Sequence, residues 1–391
     1  MLEKERLLQK KYYQYLINPT VAKDLISPMG MDAITEASLT HQYQTDERRV
    51  LLDVEQKRAK QIQAIFEADG LQRYRVSVTY HSELLARVLQ DLSQPQYILN
   101  TVLNLPDTFS DIIDCLYDPR LNFVRLERLI SEDTQLVRDV LGVVNSKEFW
   151  DSIERPSKSI RDLKGAFGIL GVKGLQYLIP LYIMKSRIPL ERGLGRRGTE
   201  DRLWEGLVST VNAHIALLKV SEPEDNVCME GIMLGLLEGI APIVIYKLYF
   251  KHASSVRSSV LAGFERSAEP KLYELMVKLK LNLDVLPGIM NDHGRKVFNN
   301  LGTCLKWTHT PRIRRAFEEE NEYLPTTVCS KHTVIHRRAT QFNHYNTLKD
   351  IELMTEEESL SYLQEIGIES KDTDYLKTHN IDEFSLHQYV G

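Results

Sequence analysis

The stretch that decides the fold is residues 122–146, NFVRLERLISEDTQLVRDVLGVVNS. It holds two short helical patterns, each with apolar residues at intervals of three and four and charged residues between them. Asn122 and Thr134 precede these patterns, and both are residue types that cap the start of a helix. Short capped helices with one apolar side must bury that side against other helices. The stretch therefore predicts a compact multi-helix bundle, not a coiled coil.

Helical patterns continue on both sides of this stretch. Residues 46–67 and 82–92 carry apolar residues near a period of 3.6, and Ser159 is placed to cap a helix that Gly171 ends. The alternation over 74–80 predicts an extended connector, because an isolated strand would leave its backbone without a partner. Together these patterns predict an all-α protein.

Composition excludes several classes of protein. The chain has 391 residues and a net charge of −5, so it lacks the basic excess of a protein that binds nucleic acid through charge alone. Its longest apolar runs are far shorter than the ~20 residues that span a bilayer, and its charged N-terminus does not resemble a secretory signal. The four cysteines are scattered, which favours a reducing compartment. We therefore expect a cytoplasmic protein with neither nucleic acid nor membrane as its partner.

Five fragments, in this order, resemble the HDOD domain, a non-catalytic signalling relative of the HD metal-dependent phosphohydrolases. They are Leu105-Pro106, residues 129–133 (LISED), Asn145-Ser146, Ser159-Ile160 and residues 168–171 (GILG). A looser likeness continues through Leu203-Trp204, residues 235–240 (GLLEGI), and Leu301-Gly302 with Trp307 and Pro311. The resemblance implies a helical bundle of HD/HDOD type over about residues 95–325.

This resemblance also locates the position at which an HD enzyme holds its metal ion. The adjacent His-Asp pair of the enzymes falls on Glu238 and Gly239, and their first histidine ligand falls at Gly206. Imidazole and carboxylate ligands are what such a site needs to bind a cation and activate water. We therefore predict no catalytic residue, no metal and no cofactor, and we expect Glu238 to face a cleft or to pair with a cation such as Lys247. A diverged hydrolase remains an alternative if His214 and Glu238 converge with at least two further ligands.

Two other groups of residues suggest binding sites. Cys329, His332, His336 and His344 have spacings within the range of a zinc site, although the segment 325–346 looks polar and irregular. The loop 186–202 carries Arg192, Arg196 and Arg197 among glycines. Such a composition can bind an anion or a nucleotide, but it is more often a solvated insertion.

The predicted organisation has three parts: a helical N-terminal region at 1–94, an HDOD-like domain at 95–325 with the loop 186–202 between its subdomains, and a polar connector followed by an acidic helical tail at 326–391. The resemblance implies a regulatory protein that offers its bundle as a docking platform for a protein partner. That partner would be a signalling kinase, a response regulator or a protein of cyclic-dinucleotide signalling in a bacterial pathway. The N-terminal helices could also form a homodimer.

Overall fold

The computed structural model describes residues 2–24, 53–118, 120–153, 156–189, 198–221, 227–281, 283–304 and 328–352, together with residues 315, 318–319, 354, 362–363 and 368. These residues are helical nearly throughout and contain no strand, which confirms the all-α fold class.

Fourteen α-helices, numbered in chain order, make up this described part. They are α1 (Leu2–Ile17), α2 (Pro19–Asp24), α3 (Asp53–Leu92), α4 (Pro95–Tyr97), α5 (Phe109–Tyr117), α6 (Phe123–Ser131), α7 (Thr134–Asn145), α8 (Lys147–Ser152), α9 (Leu163–Lys185), α10 (Thr199–Ser221), α11 (Val227–Arg266), α12 (Pro270–Lys278), α13 (Leu286–Cys304) and α14 (Lys331–Asp350). A π-turn over Ile98–Val102 follows α4, and a 3-10 turn over Leu283–Val285 precedes α13.

Helix α11 lies at the centre of the bundle. It packs against α10 along much of its length and also contacts α3, α9, α12 and α13. Two helices, α9 and the part of α11 from Glu230 to Arg266, are long and apolar enough to cross a membrane by length and composition alone. Their most apolar windows are 67% and 89% buried inside the bundle, as in the core helices of a folded domain.

The helix starts near the deciding stretch agree with the sequence to within a few residues. The Asn122 side chain accepts a hydrogen bond from the backbone N–H of Arg125, so this predicted cap is confirmed. The next cap is Asp133, one residue before the predicted Thr134, and Asp162 takes the place predicted for Ser159. At Gly171 the backbone has a φ of 63°, so α9 consists of two helical stretches that meet at a kink there, and the predicted helix end at Gly171 is confirmed.

The prediction of an extended connector at 74–80 is wrong, because α3 runs unbroken through it. Val76 and Tyr80 are 1% exposed and continue, at four-residue spacing, the buried face of the helix that follows. Val78, the third apolar residue of the apparent alternation, is 43% exposed. The Tyr80 hydroxyl donates to the carbonyl oxygen of Ala253 in α11, 3.1 Å away.

The irregular structure expected at 325–346 is also wrong for residues 331–346, which belong to α14. Ser330 caps this helix by accepting a hydrogen bond from the backbone N–H of Thr333. Polar residues lie on the buried side of α14, namely Thr333, His336, Asn343 and His344. Polar and apolar residues such as Ile335, Ala339 and Phe342 are mixed on this buried side, which weakens the apolar pattern by which a helix is predicted from sequence.

Candidate functional site

The positions that match the HD metal site lie where α10 and α11 run side by side. Three glycines of α11 face three residues of α10 in antiparallel order: Gly231 faces Ile215, Gly235 faces Val211, and Gly239 faces Leu207. A Cβ at Gly235 would lie 2.6 Å from the Cα of Val211. One at Gly239 would lie 2.5 Å from Cδ1 and 3.0 Å from Cα of Leu207. The glycine stripe lets the two backbones approach closely, so Gly239 has no room for a metal-binding side chain.

Gly206 faces the N-terminal helix instead. A Cβ at this position would lie 2.9 Å from Oη of Tyr12 and 3.2 Å from Cδ2 of Leu16. Both residues of α1 are almost fully buried. Helix α1 therefore fills the space that a histidine at 206 would need, and the cavity left between α1, Gly206 and Gly239 has room for about one water molecule.

Glu238 lies at one end of a line of buried polar groups that joins α10, α11 and α14. The Nδ1 of His214 is 2.7 Å from the carbonyl oxygen of Thr210, and its Nε2 is 2.8 Å from Nδ1 of His336. The Nε2 of His336 is 3.9 Å from Oε2 of Glu238. A carbonyl can only accept, so neutral His214 carries its proton on Nδ1 and His336 donates its own Nδ1–H to His214. This arrangement leaves Nε2 of His336 as an acceptor that faces Glu238.

Burial keeps these histidines neutral. The pKa of His214, His336 and His344 is lowered to about 3, chiefly by desolvation, and the nearness of His336 contributes to the shift of His214. Desolvation, with a contribution from the negative charge of Glu238, raises the pKa of Tyr12 to about 12. The groups around Glu238 are thus uncharged aromatic and imidazole side chains, and the guanidinium groups of Arg295 and Arg337 also lower the pKa of His336.

Asn343 of α14 joins three helices at this place. Its Nδ2 donates to Oγ1 of Thr210 at 2.9 Å and to the Tyr12 hydroxyl at 3.4 Å, and its Oδ1 accepts from the hydroxyl of Ser209. Asn343 is 1% exposed. Since a buried amide is costly to leave unpaired, this residue fixes how α1, α10 and α14 meet.

The donor groups do not fit a metal ion. The two ring nitrogens of His336 point in different directions, one toward His214 and the other toward Glu238, so the three groups do not face a common point. Across the described ranges, no three His, Cys, Asp or Glu side chains are arranged to hold a cation. The convergence that a diverged hydrolase requires of His214 and Glu238 is therefore not found in this part of the chain.

The zinc pattern is not assembled in the described part either. The side chain of His332 lies outside the described residues, whereas His336 and His344 both lie on α14. Eight residues separate these two by about 12 Å along a helix axis, which is too far for them to share one ion. His344 lies against the ring of Tyr12, with 4.2 Å between ring centroids.

Of the two expectations for Glu238, the cleft is confirmed, since Glu238 lines the small cavity beside Gly206 and Gly239, whereas the pairing with Lys247 is wrong. Nine residues along a helix place two side chains about 180° apart, so these two lie on opposite sides of α11. The Lys247 ammonium donates to the carbonyl oxygen of Arg187.

Arg192, Arg196 and Arg197 lie outside the described residues, so the anion-binding loop stays a prediction. The two arginines at the edges of this loop hold the fold together. Arg187 forms an ion pair with Asp133 at 3.0 Å. Nε of Arg202 donates to the carbonyl oxygen of Leu16 at 2.9 Å, near the end of α1.

The motif residues behind the family resemblance hold helices and loops in place. The Asn145 side chain pairs with both the N–H and the carbonyl oxygen of Ile160, each at 2.8 Å, and so fixes the segment before α9. Ser146 caps α8 by accepting from the N–H of Phe149, and Asp133 caps α7. These contacts account for the motif by folding alone, since none of them reaches the glycine stripe.

Sequence reasoning missed the residues that fill the site, above all Tyr12, Tyr13 and Asn343. The signals existed: residues 8–17 have the spacing of one buried helix face, and Gly231, Gly235 and Gly239 repeat every four residues. Neither signal shows which distant segment meets the other, because the site joins residues about 200 to 330 positions apart.

The HDOD domain family matches residues 102–273. A solved structure from Shewanella amazonensis SB2B is described as a "Putative phosphohydrolase". Its alignment covers 78% of this chain and 98% of that protein's chain, with 15% identity and a TM-score of 0.45. A search of curated proteins gave no significant match. The family match covers residues 102–273 and includes the motif fragments from residue 105 to residue 171, so this part of the chain is similar to the HDOD domain family.

Proposed function

We propose that this protein is a non-catalytic regulatory protein that uses its HDOD bundle as a docking platform in a bacterial signalling pathway. The observation that carries the proposal is that other side chains fill the space beside the two glycines at the HD positions. The space beside Gly206 is taken by Tyr12 and Leu16, and the space beside Gly239 is taken by Leu207. An enzyme of the HD class needs ligands and an open position for water and substrate at this place.

The remaining chemistry also supports binding over catalysis. Glu238 is 18% exposed, and it faces a neutral histidine that is itself hydrogen-bonded to a second one. His336 uses one ring nitrogen for His214 and turns the other toward Glu238, so these groups do not converge on one point at which a cation could be bound. A rigid helical bundle without reacting groups is well suited to presenting a groove to another protein. We propose a cytoplasmic location and a protein partner of the signalling kind that the family resemblance implies.

Metal content tests the proposal first. Untagged protein, purified by gel filtration without chelator, should carry less than about a tenth of an equivalent of Mn, Fe, Co, Ni or Zn by plasma mass spectrometry. It should also leave bis-p-nitrophenyl phosphate intact in the presence of added Mn²⁺ or Mg²⁺. Near one equivalent of metal that the Glu238→Ala variant loses, or turnover that the same variant abolishes, would refute the non-catalytic assignment.

The matched control for this experiment is His332→Ala. Metal lost in that variant but retained in Glu238→Ala would locate an ion in the segment that begins at Cys329, away from the HD position. That outcome would also refute the prediction that the protein has no metal cofactor, and it would support the zinc alternative.

A further inference from the structure

Helix α3 carries exposed apolar residues on the side opposite to its buried face. Leu71 and Tyr74 are each 69% exposed and Val78 is 43% exposed, whereas Val76 and Tyr80 are 1% exposed. The three exposed residues follow one another at intervals of three and four, so they lie along one side of the helix. This spacing is that of the narrow a/d seam by which two helices pair with each other. We call Leu71, Tyr74 and Val78 the α3 stripe.

The described part of the chain leaves this side of α3 open. Between residues 68 and 75, all residues whose burial the structure describes are exposed except Gln72, which is partly buried. A Cβ at Gly70 would meet nothing within 4 Å. A second helix can therefore approach the α3 stripe without meeting another described segment.

Helix α12 enlarges the apolar surface. It packs beside α3, and an ion pair between Arg75 and Glu269, 2.8 Å apart, joins the two helices. Tyr273 and Val277 lie one turn apart on α12 and are 38% and 52% exposed. Five of the ten large apolar side chains that are exposed in the described part thus belong to these two helices. Such a concentration marks an interaction surface, whereas single exposed apolar residues do not.

The area of this surface is that of the core of a dimer interface. A fully exposed side chain of this size presents roughly 150–250 Å², so the exposed fractions of the five side chains amount to on the order of 500 Å² per protomer. A standard interface buries about 800 Å² per partner, of which the rim is polar. The polar residues beside the five apolar ones supply that rim.

The charge of the surface favours a second copy of the chain as its partner. Residues 68–83 carry two acidic and two basic residues, and residues 269–278 also carry two of each. A surface without net charge can face its own copy without like-charge repulsion. An a/d stripe is also self-complementary, since a two-fold axis places the same stripe on both sides of an interface.

We propose that this protein forms a two-fold symmetric homodimer in which the α3 stripe of one protomer packs against the α3 stripe of its partner, with Tyr273 and Val277 of α12 at the side of the seam. The dimer is independent of the proposed function, since its interface contains none of the residues at the HD positions. It goes beyond that function by placing two helical bundles in one assembly, so that a binding protein meets two copies of the same surface.

The molecular mass of full-length, untagged protein tests the dimer. Sedimentation equilibrium over about 1–100 μM should give twice the chain mass for the wild type, with dissociation on dilution. Leu71→Glu and Tyr74→Glu should each raise the dissociation constant at least about 100-fold, because both protomers then place an unpaired carboxylate in the seam. Both positions are exposed in the separate protomer, and glutamate favours a helix, so the variants should keep the wild-type circular dichroism.

Val124→Glu is the matched control, because Val124 is 75% exposed on α6, away from α3 and α12. This variant should dimerise as tightly as the wild type. Val277→Glu repeats the test from α12 and should weaken the dimer as well.

Several results would overturn the inference. One is a wild-type protein that is monomeric over the whole concentration range, and another is a dimer that Leu71→Glu and Tyr74→Glu leave intact. Equal weakening by Val124→Glu would also count against it, since the effect would not be specific to the α3 stripe. A wild-type monomer that Leu71→Glu destabilises toward urea would assign the stripe to another segment of the same chain. None of these readouts depends on metal content, so the dimer and the non-catalytic assignment can fail separately.

Discussion

Restoring the HD pair should damage this protein rather than repair it. The perturbation is Gly239→Asp, alone and together with Glu238→His, which rebuilds the His-Asp sequence of the enzymes. A Cβ at 239 would lie 2.5 Å from Cδ1 of Leu207 and 3.0 Å from its Cα. The first contact can relax by side-chain motion. The second involves the backbone of α10, so the two helices have to move apart.

The magnitude follows from these contacts. Overpacking of this kind costs about 1–3 kcal/mol, whereas replacing glycine by alanine inside a helix gains about 1 kcal/mol. Gly239→Ala should therefore lower the free energy of unfolding by up to about 2 kcal/mol. The carboxylate of Gly239→Asp adds a buried polar group without a partner, which brings the total loss to about 3–5 kcal/mol.

Urea unfolding followed by circular dichroism measures this loss, and plasma mass spectrometry measures metal in the same samples. Gly263→Ala is the matched control on α11, because a Cβ there meets nothing within 4 Å. That control should be stabilised by up to about 1 kcal/mol. An unchanged midpoint in Gly239→Asp, with one equivalent of Mn²⁺ bound by the double variant, would refute the reasoning. It would mean that the space for the ligands had been kept.

Three further predictions concern stability. The buried histidines have a pKa near 3 in the folded protein and about 6.5 unfolded, so only the unfolded chain gains protons between these values. The free energy of unfolding should therefore fall by up to about 3–4 kcal/mol from pH 7 to 5.5. In His336→Gln this fall should be about a third smaller, because one of the three histidines is gone. Equal urea midpoints at both pH values would contradict this. Asn145→Leu removes two hydrogen bonds to Ile160 and should lower the free energy of unfolding by about 1–2 kcal/mol, with faster amide exchange in residues 156–162. Unchanged exchange in these residues would mean that Asn145 does not hold the segment in place. Arg202→Met should speed amide exchange in α1 but leave that of α11 unchanged, because its contacts are with the end of α1.

Local sequence signals were sufficient for the bundle and insufficient for the site. Asn122 caps its helix as predicted, because capping depends on one side chain and the N–H three residues later. The alternation over 74–80 led to a wrong prediction, because Val76 and Tyr80, four residues apart, belong to the face of α3 that is buried against α11. Helix α14 was missed because its buried side mixes apolar residues with polar ones. The buried polar residues need partners such as Thr210 and Glu319, which come from other segments.

The glycines at the HD positions could be identified from sequence, but their role could not. A missing ligand has two physical meanings that sequence does not separate. The site can keep its space and lose only its ligands, or other side chains can close that space. The distances at Gly206 and Gly239 indicate the second meaning, since Tyr12 and Leu207 lie where the ligands would stand.

This distinction decides what a reversal would require. Had only the ligands been lost, substitutions at 206, 238 and 239 could restore them in a site of unchanged shape. Here a ligand at 239 also needs α10 and α11 to separate, and one at 206 needs α1 to move away from Gly206. The first change opposes the close packing at the centre of the bundle, while the second opposes the packing of α1 against α10, α13 and α14. Restoring an HD site would therefore require changes in the packing of at least three helices and not only in the ligand residues.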